Sequence, residues 1–339
     1  MGFRATDLLL NQPLPSQEWE AIFLSLFRGR LIPSEMKSLL LLLSKRGEDT
    51  TEVAACVNTL RRLEPPQTVQ LPYVLDVCGT GGDGRHSFNI STVSSFVIAA
   101  AGGFVAKHGN RAISSKTGSS DLMEALGVRL DASRHLMLES LRECHLGYFY
   151  APLYHPSFAC VQPVRRSMGV RTVFNLLGPL VNPIRLSYQM VGVSNLDWLE
   201  PVTETLAPFR RRAAVYRSDD GLDELSTTSL NEVWLTEARI IQKFRLNPFT
   251  LGFKKAGPKA YEGGDLKENS GIALGILRNR EKGPRLDVVL LNSGFGLWLS
   301  GIAMSLPEGI ERSRWAIRTG RALSVLEALR RFSRRGRSR

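Results

Sequence analysis

The chain has 339 residues, 43% hydrophobic and 22% charged, which suits about two globular domains and excludes wholesale disorder. Its 44 Lys and Arg against 32 Asp and Glu give a net charge of +12, but six of the surplus charges are arginines of residues 330–339. No apolar run approaches the ~20 residues of a membrane-spanning helix, residues 8–10 are too short a stretch for a secretory signal, and Cys56, Cys78, Cys144 and Cys160 lack metal-ligand spacing, so reduced thiols in a cytoplasmic protein are expected.

The first 66 residues read as helices. Ser16 precedes Ile22, Phe23, Leu26 and Phe27, which share one helical stripe. Ser34 precedes Met36 and the leucines of 39–43, and Gly47 stops that segment. Thr50 or Thr51 would cap a third helix with Val53, Val57 and Leu60 on its inner face. Pro65 and Pro66 then mark a domain boundary. Beyond it strand, loop and helix alternate, as an α/β sheet domain requires. Residues 74–77 and 104–106 predict strands and 91–101 a helix; further buried strands are expected at 190–193, 213–216 and 288–291.

Chemistry concentrates in three loops. GTGGDG at 79–84 puts four glycines in six positions directly after a strand, so its N–H groups and the following helix N-terminus make an anion site suited to phosphate. The spacing is neither a Walker loop nor a dinucleotide fingerprint, which leaves ATP and NAD unsupported. NIST at 89–92 places polar side chains beside the same helix start, where Ser91 and Thr92 could equally be caps. KHGNR at 107–111 and SSKTGSSD at 114–121 add cations, an imidazole, an amide and hydroxyls. Three successive loops of phosphate-binding residue types exceed what turn chemistry alone would require.

Together these segments resemble the anthranilate phosphoribosyltransferase family. The likeness continues through His155-Pro156, VRRSMGVRTVFN at 164–175, LGPL at 177–180, Asn182-Pro183 and GLDELS at 221–226, in order over nearly the whole chain. The resemblance implies an α/β fold of the nucleoside phosphorylase and phosphoribosyltransferase kind: a small helical domain at 1–66, joined by a helical segment around 165–185, and a larger α/β domain at 70–329 with a central, mostly parallel sheet flanked by helices. Residues 330–339 would form a disordered Arg-rich tail.

The implied reaction is Mg²⁺-dependent transfer of phosphoribose from phosphoribosyl pyrophosphate to the amine of anthranilate, releasing pyrophosphate, a step of tryptophan biosynthesis. The resemblance assigns the donor to Gly79, Thr80, Gly81, Gly82, Asp83, Asn89, Ser91, Thr92, Lys107 and Ser119. It assigns the acceptor to His108, Asn110, His155, Arg165 and Gly178, with Arg165 as the partner of its carboxylate, and Mg²⁺, two ions per site, to Ser91, Asp223 and Glu224. Lys107, Arg111 and Arg165 would face the two anionic substrates, while Arg166 would be structural. No covalent nucleophile is indicated, and a homodimer is implied.

Two rivals remain. A pyrimidine nucleoside phosphorylase would order its glycine loop differently and lack the GLDE pair. A non-catalytic paralogue binding nucleic acid through a basic surface would explain the Arg tail, but the tail's only aromatic is Phe332 and every motif above is intact. The sequence departs from the family pattern at Tyr216-Arg217-Ser218 and at Asn292-Ser293-Gly294-Phe295-Gly296, where effects on packing rather than on the site are expected.

Overall fold

The computed structural model describes residues 14–111, 117–257 and 259–335; residues 8–10, the 114–116 part of the third loop and the last four residues of the tail lie outside these. The amphipathic N-terminal stretches form α1 (Ser16–Phe27), α2 (Pro33–Arg46) and α3 (Thr50–Leu63). Asp49, rather than either threonine, caps α3. Its carboxylate accepts from Glu52 N at 2.9 Å while Asp49 N donates to the Glu52 carboxylate at 3.0 Å, a reciprocal capping box.

After Pro65-Pro66 the chain enters β1 (Leu75–Gly79), crosses through α4 (Ile90–Ala100) to β2 (Val105–Gly109), and continues through α5 (Ser119–Ala125) and α6 (Arg134–Glu143) to β3 (Leu146–Tyr150). Helices α7 (Gln162–Met168) and α8 (Phe174–Leu180) precede β4 (Tyr188–Gly192), and α9 (Leu199–Leu206) leads to β5 (Arg212–Ser218). A meander of β6 (Asn231–Glu237) and β7 (Ile240–Leu246) follows, then α10 (Leu266–Leu277), α11 (Pro284–Leu299), α12 (Leu306–Arg318) and α13 (Arg321–Arg334). The seven strands lie in the order β3-β2-β1-β4-β5-β6-β7. The first five in chain order pair in parallel, and β6 and β7 are antiparallel additions. The sheet is thus mostly parallel and flanked by helices. Among the described residues no helix is long and apolar enough to cross a membrane.

Period-two alternation divides the core. Val191, Val193, Ala213 and Val215 face one side of the sheet and join the apolar cluster of α1–α3, α7, α8 and α9. Met190, Ala214 and Tyr216 face the other side and pack with α4, α11 and α13. The N-terminal helices therefore share one continuous apolar layer with the sheet.

Residues 288–291 are helical, not a strand. They sit inside α11, which is buried almost all round, so the apolar run carries no helical period and four residues cannot separate the two structures. The tail also differs from expectation. Helix α13 continues through Arg334: Arg330 Nε donates to Leu126 O, Arg334 donates to Gly127 O at 3.2 Å, and Phe332 is buried.

Because strand order reverses between β1 and its two neighbours, a crevice opens at the carboxyl ends of the parallel strands, where doubly wound sheets bind ligands.

Candidate active site

A cleft of about 420 Å³ occupies that crevice. Its floor is the glycine loop leaving β1. Two glycines make this floor possible: a Cβ on Gly79 would stand 2.4 Å from Asp223 Oδ2, and one on Gly192, at the end of β4, would stand 1.7 Å from Asp223 O. Asp223 can enter the loop only because both positions lack a side chain. Its Oδ2 accepts from Gly81 N at 2.6 Å. Ser194, just after β4, steadies the loop from below by donating to Gly81 O at 2.9 Å, and Arg171 donates to Ser194 Oγ at 2.6 Å. Thr80 turns its hydroxyl toward Ser194, 3.2 Å away, so it offers the cleft chiefly its backbone.

The acidic pair meets the start of α4. Ser91 N donates to Glu224 Oε1 at 2.9 Å, and Lys107 Nζ donates to Val77 O at 2.5 Å and to Ser91 Oγ at 3.3 Å. Burial pushes the Glu224 carboxyl up to about 7, opposed by the Lys107 charge and the Ser91 bond. Asp223 is raised well above its ordinary value, by burial first and then by the charges of Asp83 and Glu224. Among the described residues no three His, Cys, Asp or Glu side chains could hold a metal by themselves. Glu224 Oε2 is nonetheless buried without a partner. Two crowded carboxylates, a hydroxyl and an unused oxygen fit a cation such as Mg²⁺ that completes its shell with oxygens of a bound ligand.

Asn89, Thr92 and Ser119 join the same wall. Asn89 Nδ2 donates to Thr117 O at 3.1 Å, leaving Asn89 Oδ1 buried and unpartnered, as is Thr92 Oγ1. Ser119 Oγ accepts from Asn110 N at 3.2 Å and so fixes the loop after β2. Arg111 lines the cleft but is already paired: it donates to Asp121 at 2.9 Å and Glu124 at 3.0 Å, and these two acids raise its pKa and offset its charge.

The opposite wall is aromatic. Phe158 and Phe174 line it at 5.3 Å between ring centroids, and the Arg165 guanidinium lies 4.8 Å above the Phe174 ring. Burial lowers Arg165 to about 10, so it stays a cation at neutral pH, and no ion-pair partner for it occurs among the described residues. Arg166 is exposed. His108 Nδ1–H donates to Gly178 O at 3.0 Å; burial, then the neighbouring His155, pull its pKa down to about 3, so the ring is neutral with a bare Nε2 lone pair. His155 does not line the cleft. It stands one layer back, its ring 5.1 Å from that of His108, because its Nδ1 is drawn to Glu64.

Several contributors escaped the sequence reading. Phe158 has no role in it, and Phe174 enters only as part of the VRRSMGVRTVFN stretch. Asn292 lay in a segment expected to affect packing alone, yet it clamps the residue after the acidic pair: it accepts from Leu225 N at 3.1 Å and donates to Leu225 O at 2.8 Å.

Residues 71–323 match the model of the glycosyl transferase family a/b domain. A protein from Thermomicrobium roseum, named anthranilate phosphoribosyltransferase, is 42% identical over 97% of this chain and 96% of its own. The crystal structure of the Thermus thermophilus anthranilate phosphoribosyltransferase superposes with a TM-score of 0.89 at 38% identity, covering 97% of this chain and 99% of that one. The Saccharomyces cerevisiae enzyme, in complex with phosphoribosyl pyrophosphate and Mg, gives 0.87 at 25% identity, covering 97% and 96%. By sequence over nearly its full length and by fold, the chain belongs to the anthranilate phosphoribosyltransferase family.

Proposed function

We propose that the cleft transfers phosphoribose from phosphoribosyl pyrophosphate to the amine of anthranilate and releases pyrophosphate. The observation that carries this reading is the pairing of its walls: a glycine loop with crowded acids on one side, and an unpaired arginine among aromatic rings on the other. The yeast relative's complex with phosphoribosyl pyrophosphate and Mg supports the donor and the metal.

The donor's phosphates would lie along the loop of Gly79, Gly81, Gly82 and Asp83, with Asn89, Thr92, Lys107 and Ser119 beside them. Asn89 Oδ1 and Thr92 Oγ1, buried without partners, suit the hydroxyls and phosphate oxygens of such a ligand. Two Mg²⁺ ions, held through Ser91, Asp223 and Glu224, would neutralise charge on the departing pyrophosphate.

The acceptor's carboxylate would take the two-pronged face of Arg165, and its ring would lie against the edge-to-face pair of Phe158 and Phe174, with Asn110, His108 and Gly178 closing the wall. His108 Nε2, bare because Nδ1–H is committed to Gly178, can accept one amine N–H and so aim the nitrogen lone pair at C1. As the C1–O bond breaks, its electron pair leaves with pyrophosphate and the C1–N bond forms. The arylammonium nitrogen then sheds one proton to pyrophosphate or water, so no strong base is needed. Acceleration comes from positioning and electrostatics.

Anthranilate fluorescence should fall when phosphoribosyl pyrophosphate and Mg²⁺ are added, and a chelator should stop the loss. Arg165→Ala should raise the anthranilate KM by about 100-fold, the loss expected for a charged hydrogen-bond pair, with the donor KM little changed. Folded wild-type protein that leaves the fluorescence intact would refute the assignment.

A further inference from the structure

Glu64 ends the N-terminal helices, directly after α3 and before Pro65-Pro66. Its carboxylate reaches across to a loop far along the chain. One oxygen accepts Nδ1–H of His155 at 2.7 Å and the other accepts Ser157 N–H at 2.9 Å. Burial raises this carboxyl, but the bonds from His155 and Ser157 outweigh it and hold the group below its usual value, so both oxygens act as charged acceptors. His155 is only 4% exposed, and its ring packs edge-on against His108 at 5.1 Å and tilted against Phe158 at 5.3 Å. Both neighbours line the cleft.

We propose that Glu64 is a positioning residue for the acceptor half of the site: by clamping His155 and Ser157 it fixes the ring that backs His108 and Phe158. The proposal rests on the functional reading above, and adds that the helical unit sets acceptor affinity through one carboxylate. A neutral amide at this position would present a donor to one of the two groups and could not accept from both. The His155 ring would then rotate or carry its proton on Nε2, and its two neighbours would lose their backing.

The test compares Glu64→Gln with Glu20→Gln, whose carboxylate bonds Arg62 at 2.6 Å on the surface between α1 and α3. Glu64→Gln should raise the anthranilate KM about tenfold, as for one charged hydrogen bond, with kcat at saturation and the donor KM within about twofold. Glu20→Gln should leave all three unchanged. Equal rises in both KM values, or none, would overturn the proposal. Should Glu64→Gln fail to fold, ¹⁵N-histidine spectra of the wild type decide: His155 should be an Nδ1–H tautomer whose resonances move on adding anthranilate but not on adding pyrophosphate, and an Nε2–H ring or an unmoved signal would sink it. A wild type without turnover strikes the functional reading; normal turnover with an unchanged Glu64→Gln strikes this inference alone.

Discussion

His108 enters the fold uncharged, which has a consequence at the scale of one residue. Its folded pKa, about 3, lies below the ordinary histidine value near 6.5 because burial disfavours the cation. Between those two values the unfolded chain binds the extra proton, so stability is full above pH ~6.5 and falls as the pH drops toward 3. By pH 5 this group alone should cost about 2 kcal/mol. Chemical unfolding at pH 7.5 and pH 5 should show the loss in the wild type, and His108→Asn should remove about that much of the pH dependence; identical pH slopes would contradict the burial argument. Single residues were legible where chemistry was contiguous. The glycine loop, the KHGNR segment and Arg165 announce themselves through neighbours in sequence, and all line the cleft. Glu64 and Asn292 do not, since each acts on a segment 67 or more residues away, and a lone carboxylate or amide carries no local pattern. The resemblance places His155 on the acceptor side, but it stands behind the cleft lining, because layer order behind a wall is set by packing.

Elements followed period and punctuation. The N-terminal helices and the parallel strands of the sheet centre could be placed from apolar runs, whereas β6 and β7 could not. In β7 the exposed residues Lys243 and Arg245 alternate with half-buried ones at a sheet edge, a mixed pattern that also blunts edge-to-edge association. The Arg-rich end of α13 was misread for a related reason: composition suggested a solvated tail, but Phe332 and Ser333 turn inward. Ser333 Oγ accepts from Arg129 N at 3.1 Å, and Arg330 and Arg334 close the carbonyls of Leu126 and Gly127. Two truncations should therefore separate. Removing 336–339 should leave the melting temperature unchanged. Removing 330–339 deletes a buried aromatic, worth about 3 kcal/mol, and should lower the melting temperature by about 5 °C while turnover per folded molecule stays within twofold. A tail that is only a charged appendage would give equal melting temperatures for both.

At the scale of the whole molecule, the shared apolar layer makes the helical unit part of the site's support. Phe27 of α1 is buried against both rings of the cleft's aromatic wall, 6.2 Å from the Phe158 ring and 6.0 Å from that of Phe174. The same cluster runs on to Val191 and Val215 of the sheet, so among the described residues the apolar layer is continuous from the helices to the sheet, and the helices are expected to unfold with it. Truncating Phe27 to Ala leaves a cavity at this junction and should cost about 3–5 kcal/mol. Its loss should appear as one cooperative unfolding transition at lower denaturant, with the slope unchanged, rather than as a separate early phase for the helices. The cavity also removes the backing of Phe158 and Phe174, while the glycine loop on the opposite wall keeps its bonds to Asp223 and Ser194. The anthranilate KM of Phe27→Ala should accordingly rise several-fold with the donor KM nearly constant, and Phe27→Leu, which refills most of the volume, should restore most of both stability and affinity. An early helical phase in unfolding, with acceptor affinity unchanged, would mean that the N-terminal helices are a separate body and that the acceptor wall stands without them.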